Sequence, residues 1–265
     1  MLISNPLEIS SPQQPVGLYV HIPFCVRKCA YCDFYSLAGK RRLLSPYIDA
    51  LLLESARYGG MELRTLYIGG GTPSLLTSPN LDVLINGLHK HFDLSNLIEA
   101  SIEANPDSSH ISFLAAALSH GINRISFGVQ SLNDIELRRV GRLHSAYQAV
   151  AAIEKAKTAG FKNISADLMI GLPGQSLSSL MSTISRTVEL NLQHISLYCL
   201  SVEPGTPLAA DIPSDLPSQD EQADLYERSV DLLEQCGFVH YEISNFARPG
   251  FECLHNLNYW RAGEY

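Results

Sequence analysis

Residues 17–36 read GLYVHIPFCVRKCAYCDFYS, and the interpretation of the whole chain starts from this stretch. It places Cys25, Cys29 and Cys32 in a C-x3-C-x2-C array directly after a short apolar run, Leu18–Phe24. Three thiols this close in sequence can converge on one point without help from the rest of the chain. A four-iron cluster held by three protein thiolates leaves one iron free to bind an outside molecule. We therefore predict a [4Fe–4S] cluster on these three cysteines.

Two other interpretations of the three thiols have to be weighed. Zinc sites usually show C-x2-4-C pairs that are completed by a distant Cys or His pair, and no matching second pair follows Cys32. A disulfide with one thiol left over is uncommon in a chain without a secretion signal. The cluster therefore remains the prediction, and Cys199 and Cys236 are expected to be buried core thiols.

The composition describes an ordinary globular protein and excludes several classes. The chain has 265 residues, of which 46% are hydrophobic and 17% are charged, which is enough for one large domain. Its 19 basic and 27 acidic residues give a net charge of −8, whereas a general nucleic-acid binder normally carries a basic excess. No apolar run approaches the roughly 20 residues that a membrane helix needs. Residues 1–16 lack the features of a secretory signal, so a cytoplasmic location is expected.

Short β-type runs alternate with longer segments of helical spacing. The β-type runs are Leu18–Phe24, Thr65–Ile68, Ile98–Glu103, Arg124–Val129, Ile164–Ile170 and His194–Leu200. The helical segments are about Leu43–Tyr58, Asn80–His91, Ile111–Ser119, Ala146–Ala159, Ser178–Leu190 and Gln219–Cys236. Six strand–helix units predict an α/β fold whose parallel strands are joined by crossover helices. The periodicity leaves open whether the strands close into a partial barrel or form an open, doubly wound sheet.

Polar residues and glycines stand where these strands end. They are Cys25, Gly69–Thr72, Glu103–Asn105, Gln130, Asp167 and Ser201. In parallel α/β folds the carboxyl ends of the strands form the active site, so six such ends predict one shared site. A further β-like run, His240–Phe246, follows the last helical segment.

The cysteine array, with Tyr31 before its third cysteine, resembles the signature loop of the radical S-adenosylmethionine (SAM) superfamily. The lead-in LYVHIPFC is similar to the branch that contains oxygen-independent coproporphyrinogen III oxidases and the HemW family of heme chaperones. The resemblance implies a partial (β/α)6 barrel with parallel strands over residues 17–238, and a [4Fe–4S] cluster and SAM as cofactors. Residues 1–16 are expected to be a flexible lead-in. Residues 239–265 are expected to start a C-terminal region, and the C-terminal domain is expected to be truncated because family members continue further.

The glycine-rich stretch Gly69–Pro73 is the first candidate for SAM binding. Consecutive glycines let the backbone approach a ligand closely, although a sharp turn alone explains them equally well. The resemblance implies that Gly70, Gly71 and Thr72 contact the methionine end of SAM. Tyr19, within LYVHIPFC, matches a family position that contacts SAM, and its alternative is a core tyrosine.

Four polar residues complete the predicted SAM site. Glu103 could accept hydrogen bonds from an amine or a ribose, and its alternative is an exposed loop acid. Gln130 ends an apolar strand, where its amide could bind ribose or carboxylate. Arg142 could bind the SAM carboxylate, and only its match to the family pattern distinguishes it from a solvated arginine. Asp167 lies in an otherwise apolar strand and needs a partner, for which ribose hydroxyls or Arg142 are candidates.

The string HNLNYW, residues 255–260, contains the only tryptophan of the chain. An imidazole beside flat aromatic rings can supply an axial ligand and packing surfaces for heme, although an ordinary histidine beside a core tryptophan fits the residues alone better. The string resembles the HNxxYW motif associated with heme binding in HemW proteins. The resemblance implies that heme is bound by His255, Asn256, Tyr259 and Trp260, with Cys253 as a further candidate ligand.

The branch that this chain resembles contains proteins of two functions. The coproporphyrinogen oxidases carry a further cysteine two positions after the third cluster cysteine, where this chain has Phe34, and a longer region ahead of the cluster loop. Both departures imply a heme chaperone, which would deliver heme to an acceptor protein such as a membrane respiratory enzyme, with cluster and SAM in a regulatory role. The alternative is oxidative decarboxylation of coproporphyrinogen III by a radical SAM enzyme of porphyrin biosynthesis.

Overall fold

The computed structural model describes residues 16–265. Its strands are β1 (Val16–Ile22), β2 (Phe24–Cys25), β3 (Leu37–Ala38), β4 (Leu63–Gly70), β5 (Glu99–Ala104), β6 (Arg124–Gln130), β7 (Asn163–Ile170), β8 (His194–Cys199), β9 (Val239–Glu242) and β10 (Asn245–Ala247). Its α-helices are α1 (Leu44–Ser55), α2 (Ser78–His91), α3 (Ile111–Ser119), α4 (Asp134–Arg139), α5 (Ala146–Ala159), α6 (Leu177–Glu189), α7 (Pro207–Ala210), α8 (Gln219–Gln235) and α9 (Leu254–Trp260). The predicted lead-in, residues 1–16, lies outside the described residues except for Val16, which begins β1.

Six parallel strands form the body of the sheet, in the order β1-β4-β5-β6-β7-β8. Each of them lies beside the next one along the chain, and the order never reverses. Because right-handed crossovers then place every connecting helix on the same face, the sheet is singly wound and curls into a partial barrel. The predicted parallel strand–helix units are confirmed, and the doubly wound alternative is excluded.

Two predicted strand boundaries are corrected by the structure. The run Leu18–Phe24 is divided at Pro23, because proline has no backbone N–H for a ladder. β1 therefore ends before this proline, and β2 leaves the main sheet to pair with β3. The run His240–Phe246 forms two antiparallel strands, β9 and β10, and β10 pairs antiparallel with β8. This hairpin extends the sheet at its far edge.

Serines set the start of three crossover helices. The side chains of Ser145, Ser176 and Ser218 each accept a hydrogen bond from the backbone N–H three residues on. The side chain of that later residue accepts a hydrogen bond from the backbone N–H of the serine. Such a capping box satisfies backbone groups that a helix end leaves free. Helix α5 ends at Gly160, whose φ of 119° suits glycine. Among residues 16–265, no helix is both long and apolar enough to cross a membrane.

The two faces of the sheet differ in chemistry, because side chains alternate between faces along each strand. The outer face packs apolar side chains against the helices, among them the buried residues Ile68, Ile102, Phe127, Leu168 and Leu197. The inner face carries polar and aromatic side chains, namely Tyr67, Ser101, Glu103, Ser126, Ser165, Asp167 and Ser196. The apolar core therefore lies between sheet and helices, and the barrel interior is polar.

Helix α9 closes the amino end of the barrel. Glu99, at the start of β5, is buried, and its carboxylate accepts hydrogen bonds from the backbone N–H groups of Leu254 and His255, both at 3.1 Å. The thiol of Cys253 donates to the same carboxylate at 3.4 Å. The imidazole Nδ1 of His255 lies 2.8 Å from Oγ1 of Thr65, near the start of β4. A negative carboxylate at a helix N-terminus is favourable, so Glu99 holds this helix in place.

Replacing Glu99 by alanine should release α9 from the barrel. The substitution leaves the buried Cys253 thiol and the N–H groups of Leu254 and His255 without their acceptor, and we expect the free energy of unfolding to fall by about 3 kcal/mol. Hydrogen exchange of the backbone over residues 254–260 should accelerate, as measured by mass spectrometry. The control is Glu154→Ala at an exposed position of α5, which should change neither quantity. Equal protection of α9 in the two variants would contradict the role of Glu99.

Candidate functional site

The cluster loop, residues 25–36, lies at the mouth of the barrel and carries all three cysteines of the array. Distant segments hold it there through backbone hydrogen bonds. The N–H of Ala30 donates to the carbonyl of Val140 at 3.0 Å, and the N–H of Leu208 donates to the carbonyl of Ala30 at 2.9 Å. The loop is therefore held on two sides by segments that follow β6 and β8.

Two side chains of the cluster loop strengthen this attachment. Arg27 Nη2 donates to the carbonyl of Gly141 at 2.7 Å. Tyr31 packs against a small apolar cluster that is separate from the main core and consists of Val140, Met169, Leu172, Leu200 and Leu208. These contacts fix the middle of the loop over the carboxyl ends of the strands.

The sulfurs of two cluster cysteines receive hydrogen bonds from the barrel. Thr72 Oγ1 donates to Cys25 Sγ, and Arg142 Nη1 donates to Cys29 Sγ, both at 3.5 Å. Cys32 is partly buried, and this burial raises the pKa of its thiol. Donors beside a sulfur favour the thiolate, which is the form that binds metal.

The donor set of this loop fits an iron–sulfur cluster. Cysteine thiolates are the ligands that such clusters take, and two of the three sulfurs already receive hydrogen bonds, from Thr72 and Arg142. In the described part of the chain, no three His, Cys, Asp or Glu side chains are placed to hold one metal ion.

The glycine turn after β4 brings its backbone against the cluster loop. Gly70 has a φ of 117°, which favours glycine. A Cβ atom on Gly71 would lie 2.9 Å from both Cys25 Sγ and the carbonyl oxygen of Phe24. Thr72 follows and is buried. The sharp turn and the close approach are thus both present, and both require glycine.

Glu103 points into the barrel, and both of its carboxylate oxygens have donors. The hydroxyl of Tyr67 donates to Oε1 at 3.0 Å, and the N–H of Gly70 donates to Oε2 at 3.0 Å. The residue belongs to β5 and is partly buried, so it is not an exposed loop acid. Burial, together with the nearby carboxyl of Asp167, raises the pKa of Glu103 to about 7. This carboxyl therefore changes its charge near neutral pH.

Asp167 lies on the inner face of β7. Its Oδ1 accepts a hydrogen bond from Ser126 Oγ at 2.9 Å. Burial raises the pKa of Asp167, and hydrogen bonds from Ser126 and Ser196 oppose that rise. The observed partner of this acid is thus a serine of the neighbouring strand rather than Arg142.

The guanidinium of Arg142 joins the cluster loop to the barrel. Besides Cys29, its Nη2 donates to Asn105 Oδ1 at 2.8 Å and to the carbonyl of Gly128 at 2.5 Å. Its Nε is buried and has no hydrogen-bond partner. A buried N–H without an acceptor is costly, and the carboxylate of a bound SAM would supply one. The site residues therefore fit SAM as a ligand.

Gln130 and Tyr19 occupy two further positions at the mouth. Gln130 ends β6 with a φ of 68°, in the left-handed region that non-glycine residues rarely adopt. Backbone strain of this kind is concentrated at binding sites. Tyr19 stacks on Tyr67 with ring centroids 6.0 Å apart and remains 41% exposed, so it is not a core tyrosine.

The HNLNYW residues lie at the opposite, amino end of the barrel. His255 is only 1% exposed, its Nδ1 is bonded to Thr65, and its Nε2 lies 2.9 Å from the hydroxyl of Tyr259. Burial lowers the pKa of His255 to about 4, so its imidazole is neutral. Trp260 is 56% exposed, and Asn256 is partly buried. The structure thus brings the SAM candidates together near the mouth, while the heme candidates lie on α9 at the amino end of the barrel.

Comparison with known proteins decides the family. Residues 19–187 match the family model of the radical SAM superfamily, and this range includes the cysteine array and every residue predicted to bind SAM. The chain belongs to the radical SAM superfamily. Membership of this superfamily implies a [4Fe–4S] cluster and SAM as cofactors.

Within the radical SAM superfamily, the relatives include proteins named heme chaperone HemW. The one from Lactococcus lactis is 40% identical over 256 residues, which cover 96% of this chain and 68% of the relative. The one from Escherichia coli is 41% identical over 95% of this chain and 68% of its own length. The solved structure of coproporphyrinogen III oxidase (HemN) from Escherichia coli, a radical SAM enzyme, is 30% identical with a TM-score of 0.84. It matches 95% of this chain, which spans only 59% of that oxidase.

Sequence reasoning missed Tyr67, whose hydroxyl donates to Glu103. It placed Asn105 only among the polar strand ends, without a role: Asn105 Oδ1 accepts from Arg142, and its Nδ2 donates to Thr72 Oγ1 at 3.1 Å. The signal that could have found Tyr67 is the alternation of polar and apolar residues along β4 and β5, which assigns it to the inner face. The prediction of buried core thiols is wrong for Cys199, which is exposed at the end of β8.

Replacing Glu103 by glutamine should stabilise the cofactor-free protein more at alkaline than at acidic pH. The pKa of Glu103 is raised in the folded protein from 4.5 to about 7. The free energy of unfolding therefore falls as the pH rises from 4.5 to about 7. Glutamine does not titrate, so the variant does not show this fall. We expect the gain in unfolding free energy of Glu103→Gln to be about 2 kcal/mol larger at pH 8 than at pH 5.5.

Urea unfolding at the two pH values measures this difference, and exposed Glu154→Gln is the control that should show none. A gain that is the same at both pH values would contradict a raised pKa for Glu103. SAM binding by Glu103→Gln should be weaker than in the wild type at pH 8, since the amide cannot carry the negative charge, and the difference should shrink at pH 5.5, where the wild-type carboxyl is itself largely protonated.

Proposed function

We propose that this protein is a heme chaperone that binds heme and delivers it to an acceptor protein. The observation that carries the proposal is the identity of 40–41%, over at least 95% of the chain, to proteins named heme chaperone HemW. This identity exceeds the 30% identity to the coproporphyrinogen III oxidase structure. Both sets of proteins share the radical SAM fold, so the difference in identity favours heme handling over porphyrin oxidation.

Phe34 supports the same choice. It stands two positions after Cys32, where the oxidases that the chain resembles carry a further cysteine. Its side chain is 67% exposed on the cluster loop. A phenyl ring there offers neither a metal ligand nor a nucleophile, so any step that needs a thiol at this place is unavailable to the protein.

In this proposal Cys25, Cys29 and Cys32 would hold the [4Fe–4S] cluster, with SAM bound beside it. When bound, the cluster would supply electron-transfer chemistry toward SAM. The contribution of the chain is to bind and orient both groups. Thr72 and Arg142 donate to cluster sulfurs, which stabilises the thiolates.

The polar residues at the mouth would hold the different parts of SAM. Arg142 would bind the carboxylate through its unsatisfied Nε. The backbone of Gly70 to Thr72 would lie against the methionine end. The remaining polar groups would accept from or donate to the amine and the ribose, and they are Tyr19, Glu103, Gln130 and Asp167.

For heme, helix α9 offers exposed aromatic surfaces and one buried imidazole. Tyr259 and Trp260 are both partly exposed and could pack against a porphyrin, and Asn256 lies beside them in sequence. Both nitrogens of His255 are already bonded, so it becomes an axial ligand only after the hydroxyl of Tyr259 leaves Nε2. Because the imidazole is neutral, no proton has to be removed before it binds iron.

The acceptor in this proposal is a heme enzyme, such as a membrane-bound respiratory enzyme, and the location is the cytoplasm. A reducing compartment suits free thiols and an oxygen-sensitive cluster. Cluster and SAM would then regulate heme transfer at a distance, since their site and α9 lie at opposite ends of the barrel.

Alanine substitution of the cluster cysteines should abolish the iron–sulfur chromophore. Cys25→Ala, Cys29→Ala and Cys32→Ala should each be pale after anaerobic purification, whereas the controls Cys199→Ala and Cys236→Ala should stay brown. Visible absorbance and iron content measure the outcome. A brown Cys29→Ala protein would contradict the assignment, and a colourless wild type containing zinc would establish a structural zinc module instead.

Hemin titration tests the chaperone proposal itself. The wild type should show a saturable change in the Soret band, and His255→Ala should alter the spectrum of the coordinated iron. Trp260→Ala should weaken hemin binding about tenfold by removing a ring surface. The control is Tyr147→Ala, which removes an exposed tyrosine on α5.

Two results would contradict the chaperone proposal. One is an equally weak spectral change in the wild type and in every variant. The other is the formation of protoporphyrinogen from coproporphyrinogen by the reduced protein with SAM, which would establish the oxidase.

A further inference from the structure

The side chain of Tyr67 lies between His255 and Glu103 of the proposed SAM site. The imidazole of His255 stacks on the ring of Tyr67, with centroids 5.3 Å apart and planes inclined by 28°. The hydroxyl of Tyr67 in turn donates to Glu103 Oε1 at 3.0 Å. A continuous line of contact therefore runs through the barrel interior, from the floor made by α9 to the mouth.

The ring of Tyr67 is fixed by its surroundings. It stacks on Tyr19 as well as on His255, with an angle of 20° between the planes of the two tyrosines. Burial raises the pKa of Tyr67 well above its ordinary value, so its hydroxyl stays protonated and donates to Glu103. The orientation of the carboxylate thus depends on where this ring is held.

His255 is itself held on all sides. Its ring nitrogens are bonded to Thr65 and Tyr259, and its backbone N–H is bonded to Glu99. A Cβ atom on Gly17 would lie 3.2 Å from its Cε1, so β1 also packs closely against the ring. Such a side chain is a rigid support for whatever stacks on it.

We propose that His255 and Tyr67 are positioning residues for SAM binding: His255 supports the ring of Tyr67, and Tyr67 holds Glu103 in the orientation that meets SAM. This inference rests on the proposed function, because it takes Glu103 as a SAM contact. It gives the histidine of HNLNYW a role that does not involve heme. Preorganised groups bind more tightly because less freedom is lost on binding.

SAM affinity of the anaerobically reconstituted protein, measured by equilibrium dialysis, tests the proposal. Tyr67→Phe and His255→Ala should each weaken SAM binding about tenfold, and the double variant should be no weaker than the worse single variant. His255→Phe keeps a ring against Tyr67 but loses the hydrogen bonds to Thr65 and Tyr259, so it should bind SAM more tightly than His255→Ala and more weakly than the wild type, although it cannot coordinate iron. Unchanged SAM affinity in both single variants would overturn the proposal.

His194 provides a matched control. It is also 1% exposed at the amino end of the barrel, and its ring nitrogens lie 2.8 Å from Ser165 Oγ and 2.8 Å from the hydroxyl of Tyr241. Its ring packs on Tyr241 rather than on Tyr67. His194→Ala should therefore leave SAM affinity unchanged. A loss equal to that of His255→Ala would show general loosening of the barrel and would overturn the proposal.

A second measurement needs neither SAM nor heme. Carbon NMR of labelled glutamate, with the resonance assigned by Glu103→Gln, follows the titration of Glu103 in the SAM-free protein. Since the Tyr67 hydrogen bond lowers the pKa of Glu103, its midpoint should move to higher pH in Tyr67→Phe and His255→Ala. The other groups that face Glu103, namely Tyr19, Asp167 and Tyr198, stay the same in both variants.

Together, SAM affinity and the NMR titration distinguish a failure of the proposed SAM site from a failure of the positioning role. A wild type that binds no SAM would refute the proposed SAM site, whatever the NMR titration shows. A midpoint that stays unchanged in Tyr67→Phe and His255→Ala, in a protein whose wild type binds SAM, would refute the positioning role alone.

Discussion

Burial of carboxylates inside the barrel is the constraint on which the rest of the structure depends. Glu99, Glu103 and Asp167 all face the interior, and an unpaired acid there would be costly. Each is satisfied by hydrogen bonds instead of a salt bridge: Glu99 by the start of α9, Glu103 by Tyr67 and the glycine turn, and Asp167 by Ser126. Among residues 16–265, none of the three takes part in an ion pair. Neutral donors leave Glu103 able to change its charge near pH 7.

The two faces of the sheet divide stability and function between them. The outer face, buried against the helices, supplies the apolar contacts that stabilise the fold. The inner face contributes little apolar burial and is free to carry groups that bind ligands. Its two ends are also distinct, since the mouth holds the thiols and Arg142 while the floor is formed by α9 on Glu99. A substitution on the outer face should therefore change mainly the stability of the fold, and a substitution on the inner face should change mainly ligand binding.

Local patterns predicted those parts of the fold and the site that depend on local sequence. The cysteine spacing, the glycine turn and the acids at strand ends are all visible within short stretches, and the structure gathers these residues at one mouth. Arg142 was distinguished from its neighbours only by family resemblance, because its hydrogen bonds to Cys29, Asn105 and Gly128 join segments distant in sequence.

The position of α9 was beyond prediction for a related reason. Nothing within HNLNYW indicates that Glu99, more than 150 residues earlier, captures the start of that helix and so buries His255. The division of Leu18–Phe24 at Pro23 was, by contrast, readable from the sequence, because the missing N–H of proline is a local property.

The attachments of the cluster loop also determine when it can become ordered during folding. The three thiols lie within eight residues of sequence, but Cys29 is bonded to Arg142, 113 residues further on, and Ala30 to Leu208, further still. Closing contacts of such long separation carries an entropic cost that local contacts do not carry. A growing chain therefore exposes all three thiols to solvent well before it can build the pocket that surrounds them. The loop that carries the thiols therefore gains its attachments only once the later segments of the barrel are in place.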